Sequence, residues 1–498
     1  MILSDSFGYK KSIGILKKYK SLPVQVRASF WFLVCSFLQK GISVITMPIF
    51  TRLLSTDEYG RFGVWNSWQG IVAIVVGLSL SSGVHTQGLV KFDKDKDLFS
   101  SSLLGLMTLS VSLWMGIYFL LHDYIDVFLS LTTIQIVAML VKVWSSSVFH
   151  FWANEQRIKY AYRNLVIITI IVSCIKPILG IILVSLCKDK VTARIIGLVS
   201  VELIGFSWMF LSLIRKGKGI YSKKYWIYAL GFNLPLVPHY LSQTVLNSSD
   251  RIMIQKMVGD SQSGIYGLAY SVSLIMTLFN TALMQTISPW IYRKIKDRKE
   301  NDIAPIAYAS LLFVAVVNLI LIAMAPEVIA VFAPKSYHEA IYVIPPVAMS
   351  VFFLFSYDLF AKFAFYYEKT KFIMTASVLG ALLNVILNYF FIRKYGYIAA
   401  GYTTLICYIT YALAHYLFMR RVCRLCCFGK YPYETKIILM IAIPFLLCGF
   451  ILLLTYKYSI IRYCILAVFI IMIFVFRKRL IIAIKGMLSI RKGIKKNV

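Results

Sequence analysis

Long apolar segments recur along the whole chain, and each is long enough to cross a lipid bilayer. A membrane-spanning helix needs about 20 apolar residues to cross a hydrocarbon core of roughly 30 Å. Fourteen such segments lie near residues 28–50, 62–82, 99–121, 127–148, 164–186, 192–214, 226–248, 264–287, 303–325, 340–363, 372–392, 397–418, 436–455 and 459–476. Because they are continuous rather than alternating ten-residue stretches, they predict helices and not barrel strands.

The composition agrees with lipid as the main solvent. Apolar residues make up 59% of the 498 residues and charged residues only 15%, against roughly 25% charged residues in soluble domains. The net charge of +32 would suggest nucleic acid for a soluble protein, but here the basic residues lie in short gaps between apolar segments. We therefore expect contact with membrane lipid, no nucleic-acid partner and no soluble domain.

The positions of lysine and arginine predict the orientation of the chain. If the N-terminus lies inside, the inner segments contain 38 of these residues and the outer segments contain 12. Basic residues are enriched on the cytoplasmic side of membrane proteins. We therefore expect both termini in the cytoplasm, as a basic N-terminal segment at 1–27 and a basic tail at 477–498.

A weak internal repeat predicts how the helices are grouped. The motif Gly-Arg-Phe-Gly at 60–63 opens the second segment, and Gly-Ile-Tyr-Gly at 264–267 opens the eighth. The sequence therefore predicts an all-α integral membrane protein with two six-helix lobes, 28–214 and 226–418, and two further helices at 436–476. An even number of helices per repeat gives both lobes the same orientation in the membrane.

Charged side chains within the apolar segments are candidates for function, because charge inside a bilayer is costly and usually faces a cavity or a partner. They are Lys40, Lys142, Lys176, Lys362, Glu202 and Asp358. We expect the lysines to line a hydrated, cationic cavity between the lobes, and the two carboxylates to be candidates for binding a coupling ion, H⁺ or Na⁺. Alternatively, Asp358 and Lys362 pair with each other on one helix face, and Lys142 extends to an interface.

A polar stripe follows one face of the seventh segment. Its members recur every fourth residue and therefore share that face: His239, Gln243, Asn247 and Arg251. Pro235 and Pro238 should break the helix just before the stripe, and carbonyls freed by such a break are tolerated only against protein or a cavity. We expect the stripe to face the cavity. The alternative is a polar seam that holds neighbouring helices together.

Two arginines close the first and seventh segments, at Arg52 and Arg251. Arginine binds phosphate groups bidentately, which lysine does not. We expect them to bind a diphosphate near the cavity, unless each merely anchors its helix at the outer interface. Asn384 and Asn388 lie four residues apart in the eleventh segment, and we interpret them as packing groups rather than ligands.

Motifs typical of enzymes are missing. The alternating aspartates at 93–97 lie in a loop too short for a nucleotide-sugar domain, and Cys423, Cys426 and Cys427 have no second pair to complete a zinc site. The sequence has no Walker A loop and no catalytic triad. We therefore expect no cofactor, no metal and no enzymatic activity.

Five short stretches occur in an order typical of a known family, at 48–60, 250–254, 264–267, 285–290 and 384–396. In these stretches the chain resembles the polysaccharide transport family, the bacterial flippases for O-antigen and capsule repeat units. This family belongs to the multidrug/oligosaccharidyl-lipid/polysaccharide exporter superfamily. The resemblance extends over about residues 28–418.

The resemblance implies two six-helix lobes around a cationic central cavity in the bacterial cytoplasmic membrane. It implies a lipid substrate, undecaprenyl-diphosphate-linked oligosaccharide, which alternating access carries to the periplasmic leaflet. It also implies partners in polysaccharide polymerase and glycosyltransferase machinery. The residues expected to neutralise the diphosphate are Lys40, Arg52, Lys142, Lys176, Arg251 and Lys362.

Two other functions remain open at this point. A multidrug or small-cation exporter of the same superfamily would need an acidic, apolar cavity, which the basic residues argue against. A membrane polysaccharide polymerase or ligase would need a sizeable outer loop, and the outer gaps here are short.

Overall fold

The computed structural model describes residues 23–475 except 428 and 430, and all regular structure in that part of the chain is helical. Most of the predicted basic N-terminal segment and the whole of the predicted basic tail lie outside the described residues. The helices in the first half are α1 (Val24–Leu53), α2 (Thr56–Gly77), α3 (Gly83–Lys91), α4 (Lys96–Leu120), α5 (His122–Leu129), α6 (Thr133–Ile158), α7 (Tyr162–Leu186), α8 (Lys190–Gly217) and α9 (Lys223–Asn233). Those in the second half are α10 (Val237–Met257), α11 (Asp260–Ser273), α12 (Thr277–Lys296), α13 (Ile303–Ala323), α14 (Ala325–Phe332), α15 (Ile344–Tyr366), α16 (Thr370–Tyr395), α17 (Ala399–Cys426), α18 (Thr435–Leu454) and α19 (Ser459–Val475).

The chain is an all-helical, multi-pass membrane protein. Within residues 23–475, ten helical segments are long and apolar enough to cross a membrane. Helix is present at each of the fourteen apolar segments of the sequence. Fourteen crossings remain a prediction, because length and composition support ten of them.

Two of the predicted spans consist of two helices joined by a short 3-10 turn. Leu234–Leu236 separates α9 from α10, which is the break that Pro235 predicts, because proline cannot donate a helical hydrogen bond. Leu274–Met276 separates α11 from α12, and neither proline nor glycine marks that position in the sequence.

The span predicted at 127–148 needs a correction, because a turn divides it. Helix α5 ends at Leu129, and Ser130 has a left-handed backbone with φ of +56°. Asp126 stabilises the turn by accepting hydrogen bonds from Tyr118 at 2.8 Å and Thr133 at 2.9 Å. The membrane-length helix here is therefore α6, which begins at Thr133.

Packing divides the chain into two compact units. Among the described residues, the first contains 23–47 and 72–237, and the second contains 48–71 and 238–475 without 428 and 430. The predicted first lobe, 28–214, includes residues 48–71, which pack in the second unit. The lobe boundaries and the packing units therefore differ in that segment.

Within the first unit, helix α8 packs against α4, α6 and α7. Within the second unit, α15 is the central helix: it packs against α13, α17 and α18, and 83% of its most apolar stretch is buried. By contrast, only 22% of the corresponding stretch of α18 is buried. The exposed apolar side chains of such outer helices are suited to contact with lipid acyl chains.

Helices α2 and α11 approach each other closely within the second unit. A Cβ atom added to Gly60 would lie 2.0 Å from the Asp260 carbonyl oxygen, and one added to Gly264 would lie 2.1 Å from the Thr56 carbonyl oxygen. Small residues at helix crossings in membranes allow backbones to approach in this way. The two glycine motifs of the sequence therefore meet at one crossing.

Candidate functional site

Three charged side chains from the first unit form a cluster, which we call the lysine–glutamate cluster: Lys142 of α6, Lys176 of α7 and Glu202 of α8. Lys176 Nζ lies 2.5 Å from Glu202 Oε1, and Ser146 Oγ donates a hydrogen bond of 2.6 Å to Glu202 Oε2. Lys142 also interacts electrostatically with Glu202. One carboxylate thus serves two ammonium groups, and the cluster carries a net positive charge when all three side chains are ionised.

The cluster lies near the middle of its helices. Lys176 is the fifteenth residue of α7, and Glu202 is the thirteenth residue of α8. At about 1.5 Å per residue, each lies roughly 20 Å from the start of its helix. The Glu202 side chain is only 6% exposed, whereas that of Lys176 is 28% exposed. The lysine is therefore the member of the pair that remains accessible.

Lys176 was predicted to line a cationic cavity, and the structure gives it an acidic partner. Its contact with Glu202 joins residues 26 positions apart on two different helices, so the sequence pattern could not reveal it. Lys40 differs, because it lies on α1 with an exposed side chain. The cavity assignment of these lysines remains a prediction.

The polar stripe of α10 is largely hydrogen-bonded to neighbouring helices of the second unit. Gln243 Nε2 donates to Ser377 Oγ at 2.9 Å. Asn247 Oδ1 accepts from Tyr270 at 3.4 Å and from Tyr408 at 3.2 Å. Such contacts between helices are expected of a polar seam, which was the alternative interpretation of this stripe.

His239 differs from the rest of the stripe. Its Nδ1 atom is buried, and within the described residues it has no hydrogen-bond partner. The ring is partly exposed and lies 5.7 Å from the ring of Tyr240. His239 is therefore the stripe residue whose polar atom is left for a further partner.

The two arginines have mainly backbone and aromatic partners. Arg52 donates to the carbonyl oxygens of Pro48 at 2.9 Å and Val331 at 3.0 Å, which ties the end of α1 to the end of α14. Arg251 donates to the Asn247 carbonyl at 2.8 Å and stacks over Tyr270 at 5.1 Å. For Arg52, this is the geometry of the anchor that was the alternative to phosphate binding.

Asp358 and Lys362 pair with each other on one face of α15, as one of the two sequence interpretations proposed. Lys362 Nζ lies 2.6 Å from Asp358 Oδ1. The Asp358 side chain is 33% exposed, and the Lys362 side chain is 12% exposed. The lysine charge at this position is therefore balanced locally.

A buried carboxylate that sequence reasoning missed, Asp250, lies at the centre of a second network. The residue is 1% exposed. Its oxygens accept hydrogen bonds from Tyr266 at 2.6 Å, from Thr404 at 2.9 Å and from Asn388 at 2.5 Å. These hydrogen-bond donors are all neutral, which distinguishes Asp250 from the lysine-bound Glu202 and Asp358.

Further amides and hydroxyls bond to the side chains around Asp250. Asn384 Oδ1 accepts from Asn388 and from Ser249, each at 3.1 Å, and Thr403 donates to Asn388 Oδ1. Asn384 and Asn388 are both 0% exposed. The asparagine pair, interpreted from the sequence as packing groups, thus holds a buried carboxylate.

The sequence did not predict Asp250 as an intramembrane carboxylate, because the seventh apolar segment was predicted to end at residue 248. Helix α10 continues to Met257, so Asp250 lies within a helix rather than in a loop. The available signal was its spacing of seven residues from Gln243, which places both near one helix face.

The cysteines at the end of α17 form a separate group. Cys423 and Cys427 are buried, and Cys427 Sγ lies 3.3 Å from Tyr367 Oη. Across the described ranges, no three His, Cys, Asp or Glu side chains are grouped to hold a metal ion. The cysteines therefore remain outside the candidate site.

Comparisons with known proteins identify the family of the chain. A family model described as "Polysaccharide biosynthesis protein" matches residues 26–294, more than half of the chain, and one described as MatE matches 235–390. The Lsg locus putative protein 1 of Haemophilus influenzae is 22% identical over 71% of this chain and 88% of its own length.

Two solved structures share the fold. The lipid II flippase MurJ, in an inward closed conformation, has a TM-score of 0.66 at 16% identity and covers 91% of this chain and 99% of its own. An inward-facing multidrug resistance MATE family transporter of the MOP superfamily has a TM-score of 0.58 at 13% identity, covering 78% and 95%. The chain belongs to the polysaccharide biosynthesis protein family.

Proposed function

We propose that this protein is a flippase for undecaprenyl-diphosphate-linked oligosaccharide repeat units. It moves them from the cytoplasmic to the periplasmic leaflet for the assembly of a surface polysaccharide, O-antigen or capsule. The proposal includes fourteen membrane crossings, with two six-helix lobes around a central cavity that opens alternately to each side. The observation that carries it is the lysine–glutamate cluster at mid-helix depth, in a chain of the polysaccharide biosynthesis family.

The charge of the cluster suits a diphosphate. Lys142 and Lys176 supply two ammonium groups, and both act on the carboxylate of Glu202. A phosphate oxygen can take the place of the carboxylate oxygen at Lys176, because both are negatively charged hydrogen-bond acceptors. Glu202 would then act as a resident counter-ion, which limits the cost of keeping two lysines inside the membrane when no substrate is bound.

The sugar part of the substrate is the reason that crossing the membrane requires a protein. Oligosaccharide hydroxyls lose their hydrogen bonds with water when they enter hydrocarbon, and each unsatisfied group costs several kcal/mol. A polar path between the lobes avoids this cost, while the prenyl tail stays in lipid. A lipid-linked substrate therefore requires a polar environment for its sugar and a lipid environment for its tail.

For ion coupling, we propose Asp250 in preference to the predicted candidates Glu202 and Asp358. Both of those are bonded to a lysine, at 2.5 Å and 2.6 Å, so their negative charge is already balanced. Asp250 accepts its hydrogen bonds from neutral donors, and the positive charge near it is that of Arg251, the next residue in the chain. A buried carboxylate of this kind gains most from binding H⁺ or Na⁺.

A second candidate function is export of drugs or other small cations. The match to the MatE model and the fold shared with a multidrug resistance transporter favour it. Against it stand Lys142 and Lys176, which would repel a cationic substrate at the middle of the first unit. Drug susceptibility of cells with and without the protein distinguishes the two functions.

The direct test is transport of a lipid-linked oligosaccharide by purified protein in liposomes. We expect the wild type to deliver the lipid to the opposite leaflet, and Lys142→Ala and Lys176→Ala to reduce the rate roughly tenfold or more. Lys188→Ala is the matched control, because Lys188 is an exposed lysine just beyond the end of α7. Normal transport by both cluster variants, at normal protein levels, would overturn the proposal.

A further inference from the structure

A second cationic site lies in the first unit, at the turn between α6 and α7. A cavity of about 350 Å³ opens there, within the roughly 300–1,000 Å³ range of small-ligand sites. Its lining consists of Arg27, Tyr160, Ala161, Tyr162, Arg163 and Asn164. The lysine and arginine distribution predicts that this end of α7 faces the cytoplasm.

The cavity is positively charged. Two of its six lining residues are arginines, and none is acidic. The closest acidic residue along the chain, Glu155, is engaged elsewhere, because its carboxylate lies 3.4 Å from Lys159 Nζ. Arg27 and Arg163 come from different helices, α1 and α7, so the cavity is lined by arginines of two helices.

The backbone adds to this charge. Tyr160 has a φ of +52°, and this tight turn leads directly into the first turn of α7. The amides of Ala161 and Tyr162 are bonded to the carbonyls of Gln156 and Tyr160. The next amides belong to the first helical turn, where N–H groups have no intrahelical acceptor and favour anions.

The cavity and the lysine–glutamate cluster are connected by one helix. Arg163 and Lys176 are thirteen residues apart on α7, which corresponds to about 20 Å along the helix axis. Both sites combine two basic side chains with hydroxyl or amide groups. Their ligand chemistry is therefore the same, a phosphate-bearing anion.

We propose that the cavity is the loading site at which the diphosphate of the prenyl-linked substrate binds before it reaches Lys176. This inference rests on the proposed function. The diphosphate bridges Arg27 and Arg163, while the prenyl tail remains in the inner leaflet beside α1 and α7. A phospholipid headgroup shares the phosphate chemistry and is the competing occupant.

The test measures binding of undecaprenyl diphosphate, without sugar, to the full-length protein in phosphatidylcholine nanodiscs. We expect Arg27→Ala and Arg163→Ala each to weaken binding roughly tenfold, and Arg163→Lys to weaken it less. Lys216→Ala is the matched control, because Lys216 is an exposed basic residue on the side predicted to be cytoplasmic. The Lys216→Ala variant should bind undecaprenyl diphosphate with the affinity of the wild type. Folding of each variant is checked by its thermal unfolding.

A second arm repeats the titration in phosphatidylglycerol nanodiscs. If the difference between wild type and Arg163→Ala persists, the diphosphate is the occupant, and if it disappears, a phospholipid occupies the cavity and the proposal is overturned. Wild-type affinity in both alanine variants would also overturn it. If those variants flip the substrate at the wild-type rate, the loading site is contradicted and the proposed function is not. If the wild type does not flip the substrate, the proposed function is contradicted as well.

Discussion

Gly60 and Gly264 face each other across the crossing of α2 and α11. A side chain on either glycine would collide with the backbone of the other helix. The two residues are related by the internal repeat, as are the residues whose carbonyls they contact. Gly60 meets Asp260, and Gly264 meets Thr56, with the same spacing of 204 residues between equivalent positions. The repeat has thus produced a reciprocal contact, in which each helix offers the same surface to its counterpart.

The first prediction concerns this crossing. Gly60→Ala should destabilise the protein by about 1–3 kcal/mol or more, because its Cβ atom would collide with a backbone carbonyl that no rotamer change can move. Gly63→Ala is the matched control, since nothing lies within 4 Å of the added atom. Thermal unfolding of the purified variants measures both. Equal stability of the two variants would contradict the reciprocal contact.

The second prediction concerns the balance of charge at Glu202. Glu202→Gln should lower stability by about 1–3 kcal/mol, because it leaves two partly buried lysine charges without their counter-ion. The double variant with Lys176→Met should recover part of the loss, since it removes one of the two ammonium groups. Thermal unfolding followed by tryptophan fluorescence measures the effect. If Glu202→Gln were as stable as the wild type, Glu202 would not be the counter-ion of the cluster.

The third prediction separates coupling from structure at Asp250. Asp250→Asn keeps the shape of the side chain but replaces one accepting oxygen with a donating NH₂ group, and it can carry neither a negative charge nor an exchangeable acidic proton. We expect unchanged substrate binding and a loss of the dependence of transport on a Na⁺ or pH gradient. Tyr266→Phe is the control: it removes one hydrogen bond to Asp250, at a cost of about 1 kcal/mol, and should leave ion dependence intact. Persistent gradient dependence in Asp250→Asn would assign coupling elsewhere.

The fourth prediction decides between two roles for Arg52. Arg52→Ala removes hydrogen bonds to the carbonyls of Pro48 and Val331, and we expect a loss of about 1 kcal/mol in stability. Affinity for undecaprenyl diphosphate should stay within about twofold of the wild type. A tenfold loss of affinity at unchanged stability would instead place Arg52 in the substrate site, as the sequence interpretation held.

The extent to which the sequence predicted the site depends on how far apart the partners lie. The Asp358–Lys362 pair was accessible to prediction, because both residues lie on one helix face four positions apart. Glu202 and Lys176 were each identified as unusual, but their contact depends on how α7 packs against α8. Asp250 was missed because its helix extends nine residues past the predicted end, and its partner Thr404 lies 154 residues further along the chain.

The fold followed more readily from the sequence, for a physical reason. Hydrocarbon imposes one requirement, that backbone groups bond internally, and long apolar segments satisfy it as helices. Helix boundaries and breaks depend on finer interactions, such as the turn held by Asp126. These interactions leave little trace in hydropathy.

Residues 48–71 belong by connectivity to the first half of the chain but pack in the second unit. A fragment that begins at residue 238 would therefore lack the helix that covers Gly264. Halves of the protein made as separate polypeptides, cut between α9 and α10, should fail to fold alone and regain activity only when synthesised together.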